Sequence, residues 1–223
     1  MDALRQEYDQ RCQETLSFWQ QCAHQAQAPL DAFYPAHKRA ITTGIRPALP
    51  AAVNALLHDL MQITASDPLA ETAKPDQLHF TFLAITTAIF DDMPPPYMLA
   101  SLRLIWPGPF PLRIRNLRLV ALPNQLLLAG EPDAESIEQR QELVNMLANS
   151  PWKAGLVQRY QHDSLPPRFW HSTILRYRAT TLPAELRDWF IAQKHRNYGE
   201  VVAHTELVLA DYQWQQVTAV PLT

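Results

Sequence analysis

Two stretches decide how this chain is read: LHFTFLAI at residues 78–85 and FWHSTILRY at residues 169–177. Each holds the pattern His-x-Thr-apolar, as His79-Phe80-Thr81-Phe82 and His171-Ser172-Thr173-Ile174. Both are dense in β-branched and aromatic residues, so both read as strands. A strand's side chains alternate between faces, which places histidine and threonine of each motif on one face and the apolar residues behind. One such match is weak, since a given histidine meets the pattern by chance on the order of once in twenty. Two matches among eight histidines, at corresponding places of two half-repeats, carry far more weight.

Working outward, residues 3–26 carry Leu4, Tyr8, Cys12, Leu16, Trp19 and Cys22 or Ala23 at spacings of three and four, which predicts an amphipathic helix. A strand is predicted at 40–45, a helix at 51–63, a polar loop at 65–76 and a strand at 77–86. A helix at 95–105 follows, then strands at 111–122 and 125–130 joined by a Pro123-Asn124 turn. A helix at 133–148, a strand near 155–160, a strand at 169–178, a helix at 183–194 and a closing pair at 201–210 and 213–220 complete the series. The same order of helix, histidine-bearing strand, helix and strand pair occurs twice. The strand segments 116–121 (NLRLVA) and 205–210 (TELVLA) echo each other. The expected fold is therefore α+β: two related lobes with antiparallel or mixed sheets, flanked by helices around a central groove. Residues 1–37 form an N-terminal helical extension and 38–223 a single bilobal domain.

Lobes that face each other bring two imidazoles and two hydroxyls into one cleft. That set suits phosphoryl chemistry. A neutral imidazole takes a proton from a nucleophile, and a protonated one gives a proton to the leaving oxygen, both near neutral pH. Threonine hydroxyls can bind the non-bridging phosphate oxygens where charge builds.

The paired motifs, their separation and the element order resemble the 2H phosphoesterase superfamily, which includes 2′-5′ RNA ligase-like proteins, RNA-end cyclic phosphodiesterases and nucleotide cyclic phosphodiesterases. The resemblance covers about residues 38 to 220. It implies an internally duplicated fold with the site between the lobes, and catalysis with no metal and no cofactor. His79 and His171 would be the acid–base pair, and Thr81 and Thr173 the phosphate-binding hydroxyls. Arg176 matches an arginine often found after the second motif, reaching a phosphate or bracing the strand. Two departures concern substrate class: Leu83-Ala84-Ile85 has no polar residue where relatives often place one, and the N-terminal helix is an addition. The function implied is hydrolysis of a cyclic nucleotide or an RNA-end 2′,3′-cyclic phosphate. The alternatives are 2′-5′ RNA ligation, a non-catalytic nucleotide- or RNA-end-binding module, or a metallohydrolase.

Composition sets the remaining bounds. A net charge of −3 argues against a coat for long nucleic acid, but permits a small phosphate in a locally positive cleft. Cys12 and Cys22, on one helix, would lie about 15 Å apart, too far for a disulfide. No apolar run approaches the ~18 residues that span a bilayer, and no signal-peptide pattern opens the chain. The expectation is a cytoplasmic monomer with a nucleotide or RNA-end substrate and no membrane partner. Tyr160 and His162 fall in a loop that could overhang the cleft, with Tyr160 read first as a surface aromatic. Tyr177 falls on the Thr173 face by period two, and both tyrosines are further candidates for substrate binding. Arg113, Arg115 and Arg118 either line an anion groove or lie on a solvated strand face. Trp106, Trp152, Trp170 and Trp189 read as core anchors.

Overall fold

The computed structural model describes residues 2–22, 28–32, 35 and 37–221. Its strands are β1 (Ala40–Ile45), β2 (Ala70–Thr72), β3 (Phe80–Ala84), β4 (Pro111–Leu122), β5 (Gln125–Pro132), β6 (His171–Tyr177), β7 (Val201–His204), β8 (Glu206–Ala210) and β9 (Val217–Ala219). Its helices are α1 (Asp2–Gln21), α2 (Ala51–Thr64), α3 (Pro96–Ile105), α4 (Ala134–Ala148), α5 (Lys153–Arg159) and α6 (Ala184–Gln193). The predicted continuation of the first helix over 23–26 lies outside the described residues, as does His24. Proline opens three helices where its missing N–H costs nothing: Pro50 and Pro183 at the caps of α2 and α6, and Pro96 in the first turn of α3. Asp133 caps α4, its carboxylate accepting the Ser136 N–H at 2.8 Å.

The strands form two sheets, of order β3-β1-β8-β9 and β2-β6-β5-β4-β7, with every described pairing antiparallel. The fold is α+β with one histidine strand in each sheet. Position by position, β3-β1-β8 corresponds to β6-β5-β4. The echoing segments 116–121 and, past Thr205, 206–210 thus fall on β4 and β8, the third strand counted from each histidine strand.

The lobes are not the two halves of the chain, as the simple repeat predicted. The strand pair β4–β5 from the first half lies beside His171, and β8 from the second half lies in the sheet of His79. The stretch 201–210, predicted as one strand, is two. β7 pairs with β4 in the five-stranded sheet, and β8 pairs with β1 in the four-stranded one. Thr205 alone separates them, fully buried. Its N–H donates to Phe110 O at 2.9 Å, and its hydroxyl accepts the Phe110 N–H at 3.2 Å. Two further corrections are local. The predicted loop at 65–76 contains the short edge strand β2, paired with β6. The predicted strand at 155–160 is α5, whose Leu156 is buried together with the cap residues Trp152 and Tyr160 at helical spacing.

Helix α1 turns Tyr8, Cys12, Thr15 and Trp19 inward, one face of successive turns. It lies along β4. Cross-strand partners share a face, so Arg118, Ala129 and His171 project from the same side of the five-stranded sheet. Arg118 pairs with Asp9 of α1, and Thr15 and Trp19 donate to the carbonyls of Ala121 and Pro123, each at 2.9 Å. The helix therefore covers the inner face of that sheet beside the histidine strand. Tyr8 fastens it: its hydroxyl donates to Gly130 O at 2.9 Å and accepts the Trp170 N–H at 3.1 Å. Replacing Tyr8 by Phe leaves both backbone groups unpaired in the core. The expected loss is about 1–3 kcal/mol of stability, read from the midpoint of urea unfolding. An unchanged midpoint would show that α1 is not fastened there.

Candidate active site

Register shifts in both histidine strands build the site. Along β3, Leu83 faces Thr43 while Thr81 faces Gly44, so Phe82 is an extra residue. Along β6, Leu175 faces Leu126 while Thr173 faces Leu127, so Ile174 is extra. Each lobe thus carries a β-bulge directly after its motif threonine. The bulge resets the alternation, so the third residue beyond each threonine returns to the histidine face. In the first lobe that residue is Ala84, and in the second it is Arg176. Gly44 permits the close crossing at the first bulge, because a Cβ there would lie 2.5 Å from Phe80 O.

His79, Thr81, Ala84, His171, Thr173 and Arg176 all line one groove of about 840 Å³ between the sheets. Glu7 and Arg11 of α1 form part of its wall. Four arginines of the groove (Arg11, Arg159, Arg168 and Arg176) outnumber Glu7, Asp163 and Asp211. Asp211 is occupied with the N–H groups of Gln215 and Gln216, and Glu7 pairs with Arg168 at 3.8 Å. The arginines near the motifs give a locally positive cleft in an acidic chain.

His79 is held on two sides. Its Nδ1 lies 3.0 Å from Gln77 O, so the neutral ring donates there and carries its lone pair on Nε2. Its ring stacks on Trp214 at 4.6 Å between centroids and 10° between planes. Burial lowers its pKa to about 3, against the Gln77 hydrogen bond, with the charges of Arg176, His171 and Arg46 pushing further down. Burial likewise lowers His171 to about 4, helped by Arg176, Arg140 and Arg159. His171 packs edge-on against Phe169, and its buried Nδ1 has no hydrogen-bond partner among the described residues. The groove therefore holds two neutral imidazoles at neutral pH.

The other candidates divide. Tyr160 lines the groove but is buried rather than at the surface, its hydroxyl accepting the Ala84 N–H at 3.1 Å. It braces β3 at the bulge. His162 lines the rim. Tyr177 is on the opposite face from Thr173, because the bulge inverts the parity that placed it there. It is buried, and that burial, with the Asp67 carboxylate second, pushes its hydroxyl pKa up to about 12. Arg113 and Arg115 pair with Glu200 and Arg118 with Asp9, and none of the three lines the groove. Trp106, Trp152 and Trp170 are buried and Trp189 partly so. Sequence reasoning missed Trp214 and Arg140. Neither falls in a motif, and Trp214 reaches His79 from a distant part of the chain. Among the described residues no group of three or more His, Cys, Asp or Glu is arranged to hold a metal ion, and no helix is long and apolar enough to cross a membrane.

No protein-family model and no curated protein matches the chain. Among solved structures it is similar to the Thermus thermophilus protein TT0787, at 16% identity and a TM-score of 0.49, over 82% of this chain and 95% of that one. It is also similar to E. coli LigT, solved in complex with NADP+, at 15% identity and a TM-score of 0.38, over 83% of this chain and 96% of that one.

Proposed function

We propose that this chain is a two-histidine phosphoesterase of the 2H type, which hydrolyses a cyclic nucleotide or an RNA-end 2′,3′-cyclic phosphate without a metal. One observation carries the reading: His79 with Thr81 and His171 with Thr173 line one groove from corresponding strands of two sheets, with Arg176 brought beside them by a bulge. The neutral His79 suits the base, because Gln77 fixes its tautomer and leaves the Nε2 lone pair available. It takes a proton from water as the water oxygen bonds to phosphorus. The bond from phosphorus to the ribose oxygen breaks, and protonated His171 gives its proton to that oxygen. The product is a phosphate monoester. Thr81, Thr173 and Arg176 would bind the non-bridging oxygens.

The test is hydrolysis of a panel of 2′,3′-cyclic nucleotides and cyclic-phosphate-ended oligonucleotides in excess chelator. Turnover on any member supports the reading. Its absence on all, or its loss with chelator, overturns it.

The lowered pKa values of the two histidines have a kinetic signature. The acid must carry a proton, yet in the free protein His171 loses it near pH 4. A bound phosphodiester anion stabilises the imidazolium and raises its pKa by about 1–3 units. Since kcat/KM reports the free enzyme and kcat the complex, kcat/KM is expected to fall with rising pH well before kcat does. The two descending limbs, measured on one substrate, should be separated by at least about one pH unit. Coincident limbs would refute this coupling.

A further inference from the structure

Helix α4 sends Arg140 into the core, 1% exposed. Its partners are carbonyls and rings, with no described carboxylate among them. Nη1 donates to Pro167 O at 2.8 Å and to Phe169 O at 3.4 Å, and Nη2 donates to Thr81 O at 3.4 Å. Its guanidinium carbon is 3.1 Å from the centre of the Trp170 ring and 5.4 Å from that of Phe82. All of these contacts but Pro167, four residues before His171, adjoin a motif. Thr81 is two residues beyond His79, Phe169 two before His171, Trp170 its neighbour, and Phe82 the extra residue of the first bulge. The guanidinium therefore bonds the backbone of both motif segments, at Thr81 and just ahead of His171 at Phe169.

Stability alone does not call for such a residue. A buried cation loses hydration, and apolar side chains of similar volume often serve a core as well or better. What apolar groups cannot do is donate to two strands in a fixed geometry, which the planar fork of arginine can.

We propose that Arg140 is a positioning residue for the two-histidine reaction: by bonding the backbone of both motif segments, it sets the spacing of the two imidazoles across the groove. This rests on the function proposed above. Arg140 also contributes to the field at His171, alongside Arg176 of β6 and Arg159 of α5, with Phe169 as the ring in contact. That field provides a readout independent of turnover.

The experiment compares wild type, Arg140→Met and Arg140→Lys by steady-state kinetics and by NMR titration of the imidazoles. Arg140→Met is expected to lower kcat about 10- to 100-fold, the scale set by ångström misplacement of reacting groups. KM should change little, and the His171 titration midpoint should move up. Arg140→Lys keeps the charge and so restores the His171 midpoint. It should still lose about tenfold or more in kcat, because an ammonium is a point charge without the fork that spans both lobes. A folded Arg140→Met protein with wild-type kcat overturns the proposal, whatever its His171 midpoint. If Arg140→Met does not fold, Arg140→Lys decides, and wild-type kcat there overturns it. If wild type turns over nothing, the functional reading fails by itself. The His171 midpoint then decides for Arg140: raised in Arg140→Met supports its placement, and unmoved overturns it.

Discussion

Replacing His79 or His171 by Ala is expected to lower kcat for a cyclic phosphodiester by about 10²–10⁴-fold, the usual contribution of general acid–base groups. In-line displacement needs a proton removed on one side of phosphorus and another delivered on the opposite side. Losing either imidazole leaves that task to water. Because the two act in one step, the double variant should be little worse than the poorer single one. Both residues are half-buried and line the groove, so thermal unfolding should stay close to wild type. His79→Ala removes the stack on Trp214, and some softening of that corner is expected. Turnover within a few-fold of wild type in either folded variant would remove that histidine from the mechanism.

The second large effect concerns the hydroxyls. Thr81 and Thr173 share the faces of their histidines and line the same groove. Valine matches threonine in shape but cannot donate a hydrogen bond to phosphate. Thr81→Val and Thr173→Val should each reduce kcat by about 10²–10³-fold if the hydroxyl stabilises charge that grows on the non-bridging oxygens. Serine at the same positions keeps the donor and should recover most of the rate. If serine is as poor as valine, the methyl group matters rather than the hydroxyl, and the assignment to phosphate fails.

The motifs were readable because they are local: a two-residue period and a repeated tetrapeptide survive without knowledge of the fold. Most elements were legible for the same reason, their prolines and apolar spacings acting within a few residues. What escaped depends on partners distant in sequence. The bulge after Thr173 is set by the register against β5, so period two sent Tyr177 to the groove when the structure sends Arg176. Helix α5 reads as a strand because its seven residues are too few to show a helical period by themselves. The helical spacing of Trp152, Leu156 and Tyr160 was the better signal. Residues 70–72 read as loop because an edge strand of three half-buried residues has almost no pattern of its own. The split at Thr205 has no local mark, since both sides are good strand sequence. It exists because Phe110 bonds Thr205 at the point where the chain changes sheet.

That crossing limits how the molecule can move. The chain passes from the sheet of β1 to that of β2, back to β3, across again to β4 and finally back through Thr205 to β8. Proteins that capture ligands by swinging two rigid bodies about a hinge need loose connectors that absorb the rotation. Here the last connector is one buried residue with both its N–H and its hydroxyl engaged. The two sheets are stitched rather than hinged, and they cannot work as jaws. Admission of a ligand is then expected to fall to the exposed rim residues 161–165, over a cleft whose walls keep their separation.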